Sequence, residues 1–344
     1  MSATDGTVSL EQLLRITEGI RNNVDQVVKG KEQVVTTALV VMLSGGHLLL
    51  EDVPGVGKTM LSKALARSID ASVHRIQFTP DLMPSDVTGI SVFDPETRRF
   101  EFRPGPVFAH LVIADEINRA SPKTQSALLE CMEEHQVTVD DTTYPLGSPF
   151  MVVATQNPVE MEGTFSLPEA QRDRFTARIS MGYPDPSAEV AMLAAHTGHG
   201  GVSPLDTLQP VTDVAQMRAL ITTVAQVHVS DAVRHYAVAL AHATRVSPHL
   251  ALGASPRATI QLVRSAQALA ALRGRSFVLP DDVRDLVGTV LSHRLVLAPG
   301  AHTTGTSVAS VLEEVLRTVA VPTPAPTTAA PGTSSPATGD PTRA

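Results

Sequence analysis

The chain has 344 residues, room for about two domains, and 43% of them are hydrophobic against 18% charged, which excludes a wholly disordered polymer. Tryptophan is absent and aromatics make up only 3%, so any core must be built from Leu, Val, Ile and Ala. A formal charge of −8 speaks against a general nucleic-acid binder, which needs a basic footprint, and the lone Cys131 excludes an internal disulfide.

The first residues, MSATDGTVSLEQ, lack a basic segment followed by an apolar one, so no secretory signal is expected. The longest apolar run, ALVVML, falls far short of the ~20 residues of a membrane-spanning helix. A cytoplasmic protein without membrane insertion is the expectation. Ser9 and Gln12 make a capping pair for a helix over 10–26. Gly30 interrupts it, and an apolar helix from Val34 to Leu43 stops at Gly45-Gly46. A short buried strand, HLLLE, then runs into a Gly-rich turn, and the spacing of Leu61, Ala64, Leu65 and Ile69 predicts a helix from Lys58 to about Ser68.

SVHRIQF alternates as a strand does, HLVIAD and PFMVVATQN read as buried parallel strands, and ARISMGY is a weaker fifth. Strands alternating with helices imply a parallel sheet covered on both faces. Two stretches break the alternation: GISVFDPETRRFEFRPGP and HQVTVDDTTYPLGSPF each read as an inserted β-hairpin. Cys131, in the probable helix SALLECMEE, reads as a small buried apolar residue. Beyond residue 187 the pattern is helical only, with helices near 188–197, 213–227, 231–245, 256–273, 281–292 and 306–320. The expected division is an N-terminal helix and linker (1–29), an α/β nucleotide-binding domain (30–186), an α-helical lid (187–320) and a Pro/Thr/Ala-rich tail (321–344) too poor in apolar bulk to offset its ordering entropy.

The turn Pro54-Gly55-Val56-Gly57-Lys58-Thr59, between a strand and a helix, has the context of a phosphate cradle. Glycines let backbone N–H groups point inward at a phosphate, and the helix N-terminus adds partial positive charge. Lys58 would reach the β and γ phosphates of a nucleotide and Thr59 would hold Mg²⁺. The motif's usual first glycine is replaced by Asp52. HLVIADEINRA ends a buried strand on Asp115, placed to hold Mg²⁺ through water, and Glu116, placed to deprotonate an attacking water. Asn157 ends the strand VVATQN, where a neutral amide can hold that water or the γ-phosphate. LPEAQRDRF carries Arg172 and Arg174. In LGASPRA, Ser255 is a helix cap, Pro256 the first helical residue and Arg257 a cation in the first turn.

These segments together, with QFTPDLMPSDVTG and the run FRPGPVFAHLVIADEINRASPKTQSALLECMEE, resemble an AAA+ ATPase of the MoxR family, in the helix-2-insert group, over about residues 10–300. The resemblance implies a P-loop core with a five-stranded parallel sheet in the order 5-1-4-3-2, two inserted hairpins and an α-helical lid. It assigns Lys58 and Thr59 to Walker A, Asp115 and Glu116 to Walker B, Asn157 to sensor 1, Arg174 to an arginine finger entering a neighbour's site, and Arg257 to sensor 2. Arg172 sits where the family fixes no residue. Gly30 falls in the segment that lines the adenine pocket, and Pro54, Gly55, Val56, Gly57 and Met60 complete the nucleotide contacts. The implied partners are further copies in a hexamer, a protein with a von Willebrand factor A-type domain, and a protein client, with ATP and Mg²⁺ as cofactors. ATP turnover is expected to change the angle between the α/β core and the lid through Arg257. A DNA motor of the same group would need basic hairpin tips, whereas the second hairpin turns at Asp140-Asp141. His228, His235, His242 and His249 recur every seven residues, a spacing of about 10 Å along a helix that is too wide for one metal ion.

Overall fold

The computed structural model describes residues 6–53, 55–157, 164–197, 203–301 and 305–322; Pro54 and the tail from 323 onward lie outside the described residues. The chain opens with α1 (Leu10–Val27), capped by the Ser9 hydroxyl accepting from the Gln12 N–H, and α2 (Glu32–Leu43). Then come β1 (Leu48–Glu51), α3 (Lys58–Ser68) and β2 (Val73–Gln77). The one-turn α4 (Pro84–Thr88) leads into the hairpin of β3 (Gly89–Asp94) and β4 (Arg99–Pro104). β5 (Leu111–Asp115) and α5 (Pro122–Glu134) precede the second hairpin, β6 (Gln136–Val139) with β7 (Thr142–Pro145). β8 (Met151–Gln156), α6 (Glu169–Arg172) and β9 (Ala177–Ile179) finish the α/β part.

Strands β1, β2, β5, β8 and β9 form one parallel sheet in the order β2-β5-β8-β1-β9. Counted as core strands and read from the β9 edge, this is the order 5-1-4-3-2. Alternation along each strand feeds two cores. Leu48, Leu50, Leu111, Ile113, Met151 and Val153 face one apolar cluster, while Leu49, Val112, Ala114, Val152 and Ala154 face the other. Both hairpins pair antiparallel, as their β-rich halves around DPET and Asp140-Asp141 require.

The C-terminal part is helical: α7 (Pro186–Thr197), α8 (Pro204–Thr207), α9 (Val214–Ala225), α10 (Asp231–Val246), α11 (Pro256–Leu272), α12 (Pro280–Leu291) and α13 (Val308–Thr318). Two short strands absent from the sequence reading, β10 (Leu250–Leu252) and β11 (Val296–Leu297), pair antiparallel there. The apolar face of α1 (Leu13, Ile16, Ile20, Val24) and the length of α2 pack with residues of α9, α10, α11 and α12 in one continuous cluster that reaches the sheet. The N-terminal helices are therefore the floor on which the later helices sit. Cys131 is buried, and burial pushes its thiol up to about 12, so it is inert filling. Arg273 and Arg275 converge on the fully buried Asp282, which also accepts the Leu279 N–H, and serve structure.

His47 ties three elements at the start of the sheet. Its Nδ1 accepts the Val152 N–H at 3.0 Å, which leaves Nε2 as the protonated nitrogen donating to the Met132 carbonyl at 3.1 Å. Burial lowers its pKa to about 4, and His135 and Arg257 press the same way against the opposing Met132 bond. The folded state thus refuses a proton that the unfolded chain takes up below about pH 6.5. Stability is intact above that value and falls as pH drops toward 4, by about 3 kcal/mol in full. Urea denaturation at stepped pH should show this loss, and His47→Gln should flatten the slope across the window. Equal slopes in both proteins would mean that His47 is not the acid-sensitive group.

Candidate functional site

The C-terminal ends of β1, β5 and β8 converge on the Gly-rich turn. Gly55 and Gly57 have φ of +84° and +94°, the left-handed region that a side chain would strain, and so the loop can wrap with its N–H groups inward. Lys58 opens α3, and its ammonium donates to the Asp52 carbonyl at 2.7 Å and the Val53 carbonyl at 3.3 Å. The replacement of the motif's first glycine by Asp52 has a structural reason. Its carboxylate accepts from the N–H groups of Val53 and Gly182 and from the Ser180 hydroxyl, lashing the loop to the chain that leaves β9. Burial opposes ionisation of Asp52, but these bonds outweigh it and hold the carboxyl below its usual range.

The two acids sit as expected at the end of β5. Asp115 is buried; its Oδ2 accepts from the Arg75 Nε at 2.6 Å and from the Thr59 hydroxyl at 3.4 Å, and its Oδ1 accepts from the Thr155 hydroxyl at 3.2 Å. Thr155 in turn accepts the Glu116 N–H at 2.9 Å. Glu116 is held with φ of +56°, a strained conformation for a non-glycine residue and one found at functional sites. Its Oε2 accepts from the Gln77 amide at 2.8 Å and from Arg119 at 3.1 Å, which leaves Oε1 for other work. Asn157 is buried just past β8, and its carbonyl lies 3.5 Å from the Asn118 amide. Thr59 and Asp115 thus present hard oxygen donors side by side, and the Arg75 guanidinium already seated on Asp115 shows that the spot draws positive charge. These residues fit a Mg²⁺ ion.

Beside the cradle, a cavity of about 430 Å³ is lined by Val28, Lys29, Val56, Gly57, Met60 and Tyr183, among others. Gly30, with φ of +68°, turns the chain between α1 and α2 so that its flanking residues form this wall. Tyr183, not singled out from the sequence, is 76% exposed at the edge, and its carbonyl accepts from the Lys31 ammonium at 2.9 Å.

Arg174 and Arg257 lie elsewhere. They line a second cavity of about 330 Å³ with Gly45, Gly46 and His47, at the opposite end of β1 from the cradle. Both pair with Glu133 near the end of α5: Arg174 through Nε at 2.9 Å and Nη2 at 2.8 Å to Oε2, and Arg257 through Nη2 at 3.1 Å to Oε1. The Arg174 bond, with Arg257 adding to it, holds the Glu133 carboxyl below its usual range despite partial burial. Asp173 joins the two arginine mounts. It accepts from the hydroxyl of Ser255, the N-cap of α11, and its carboxylate lies 2.9 Å from the buried guanidinium of Arg294. Arg294 also donates to the Phe175 carbonyl and bonds the Val290 carbonyl and Gln261. Desolvation lowers its pKa only to about 10, so it stays charged at neutral pH. Gly46 packs so closely on this segment that a Cβ there would lie 2.0 Å from the Thr176 hydroxyl. The Arg172 side chain pairs with Glu169 on its own short helix.

Comparison with known proteins agrees with this layout. Residues 47–177 match the family described as "ATPase family associated with various cellular activities (AAA)", and residues 242–315 match "AAA lid domain". Chaperone MoxR1 of Mycobacterium tuberculosis is 42% identical over 308 residues, covering 87% of this chain and 80% of that protein. The chain belongs to the MoxR family of AAA+ ATPases. The uncharacterized protein YeaC of Bacillus subtilis is 48% identical over 300 residues, with 87% of this chain and 93% of that protein covered. A crystal structure of a candidate ATPase from Cytophaga hutchinsonii superposes with a TM-score of 0.85 at 38% identity, over 91% of this chain and 97% of that one. Family membership implies a nucleotide-binding protein. No helix among the described residues is long and apolar enough to cross a membrane.

Proposed function

We propose that this chain hydrolyses ATP as a subunit of a ring, a hexamer, and that it spends the energy remodelling a protein client in the cytoplasm. In this reading the α/β part (30–186) binds the nucleotide and the helices from 187 to 320 act as its lid. Lys58 and the loop N–H groups take the β and γ phosphates, and the base lies in the cavity walled by the residues around Gly30, with Tyr183 at its edge. Thr59, directly, and Asp115, through water, would hold Mg²⁺, which when bound would offset the negative charge of the phosphates. Glu116 takes the proton of the attacking water on its remaining oxygen, while Gln77 and Arg119 hold the other, and Asn157 orients that water.

The single observation that carries the assembly is the station of Arg174 and Arg257. Arg257 lies beside Arg174, a strand's length (roughly 13 Å at about 3.3 Å per residue) from its own cradle. Two half-buried guanidiniums on one face suit a neighbour's triphosphate. The site is then complete only between copies. The exposed faces of the inserted hairpins, with Phe93 and Phe100 outward, are the surfaces offered to the client, and a von Willebrand factor A-type protein is the partner proposed from the family.

ATPase rate per subunit should therefore rise steeply with protein concentration and vanish on dilution to monomers. A rate per subunit that stays constant down to dilute monomer would remove the shared-site reading.

A further inference from the structure

Resting on that shared-site reading, we infer that Glu133 is a positioning residue that holds Arg174 and Arg257 as one bidentate anion clamp for the neighbouring subunit's nucleotide. Two guanidiniums that must converge on one triphosphate repel each other and, being long and flexible, would otherwise sample many rotamers. A single carboxylate placed between them removes both problems. Its Oε2 takes the Nε–Nη2 edge of Arg174 and its Oε1 takes Nη2 of Arg257. This leaves Nη1 of Arg174, and Nε and Nη1 of Arg257, to donate to phosphate oxygens. The side chains keep 27%, 35% and 37% of their surface for Arg174, Arg257 and Glu133, so the clamp is held yet open to a partner.

The mounts behind the clamp are themselves stiff. Asp173 cross-links the Arg174 loop to the cap of α11 through Ser255 and to the buried Arg294, so the clamp's two jaws cannot drift apart by loop motion. Glu133, on α5, links both jaws to a third element. It acts from the donor side of the interface and has no part in its own subunit's cradle. That location separates its role from plain stability.

The test uses full-length Glu133→Gln, which keeps the shape and loses the charge. At saturating ATP and a concentration that supports assembly, kcat should fall about 10- to 100-fold, as for a misplaced group near the chemistry, while KM for ATP moves little and the melting temperature holds. Mixed assemblies then decide the side. Glu133→Gln subunits retain a sound cradle, and Glu116→Gln subunits retain a sound clamp, so mixing the two should restore turnover above the sum of the parents. Arg174→Ala mixed with Glu116→Gln is the control for the shared site. Recovery in both mixtures supports the clamp. Recovery with Arg174→Ala but not with Glu133→Gln leaves the shared site standing and overturns the role of Glu133. No recovery with Arg174→Ala sinks the shared-site reading and the clamp with it. Wild-type turnover in Glu133→Gln, or a marked drop in its melting temperature, also overturns the proposal.

Discussion

Arg174→Ala is expected to cut ATP turnover by about 10³- to 10⁵-fold, the range a trans arginine supplies to phosphoryl transfer, while the variant's own cradle still binds ATP. The reason is electrostatic. Negative charge redistributes over the γ-phosphate oxygens as the bond to the leaving oxygen breaks, and a guanidinium already in place stabilises that state without reorganising. Here the guanidinium is prearranged: Glu133 holds one edge, and the adjoining Asp173 is anchored by Ser255 and Arg294. Arg174→Lys should fail to rescue, because an ammonium cannot share one edge with Glu133 and offer another to phosphate. Nucleotide binding by a fluorescent ATP analogue, beside phosphate release in the assembled protein, separates the two quantities. Turnover near wild type in Arg174→Ala would place the finger elsewhere.

Glu116→Gln is expected to slow hydrolysis by about 10²- to 10⁴-fold, the usual worth of a positioned base, and to leave the protein loaded with ATP. The amide keeps the size of the side chain and can still meet Gln77 and Arg119, so the loop should hold its shape. What it loses is the capacity of Oε1 to accept a proton. The trapped state should persist as a stable oligomer by size-exclusion chromatography in ATP, and it is the form in which a client is most readily captured. Unchanged turnover would show that another group takes the proton.

Much of the α/β part is legible along the chain. HLLLE, HLVIAD and PFMVVATQN are continuous apolar runs because both faces of a parallel strand are covered, and they appear as β1, β5 and β8. The hairpins announce themselves through β-rich halves around short polar turns. The helices carry their own boundaries, in the Ser9 cap of α1 and the Ser255-Pro256 start of α11. β10 and β11 escape notice because they are two and three residues long and pair across the intervening α11 and α12. No local periodicity can mark so short a pairing.

The site divides in the same way. The cradle, both acids and Asn157 were recognisable, because each is a short motif at the end of its own strand. Arg75 and Gln77 were not. They alternate on β2 and meet Asp115 and Glu116 only because β2 lies beside β5, a fact of sheet order. Glu133, one of several acids near the end of α5, and Arg294 carry no local motif. Their roles arise from contacts between residues more than 30 positions apart.

What the sequence by itself determined is the chemistry within reach of one turn of chain: glycines that permit positive φ, a lysine at a helix start, acids at a strand end, a cap that mounts Arg257. Only the tertiary structure decided where those pieces face. It put Arg174 and Arg257 on one carboxylate at the far end of β1 from the cradle, because β9 pairs with β1 in parallel and brings the chain entering it beside His47. Strand direction and strand neighbours are set by packing of the whole sheet, and no local pattern encodes them.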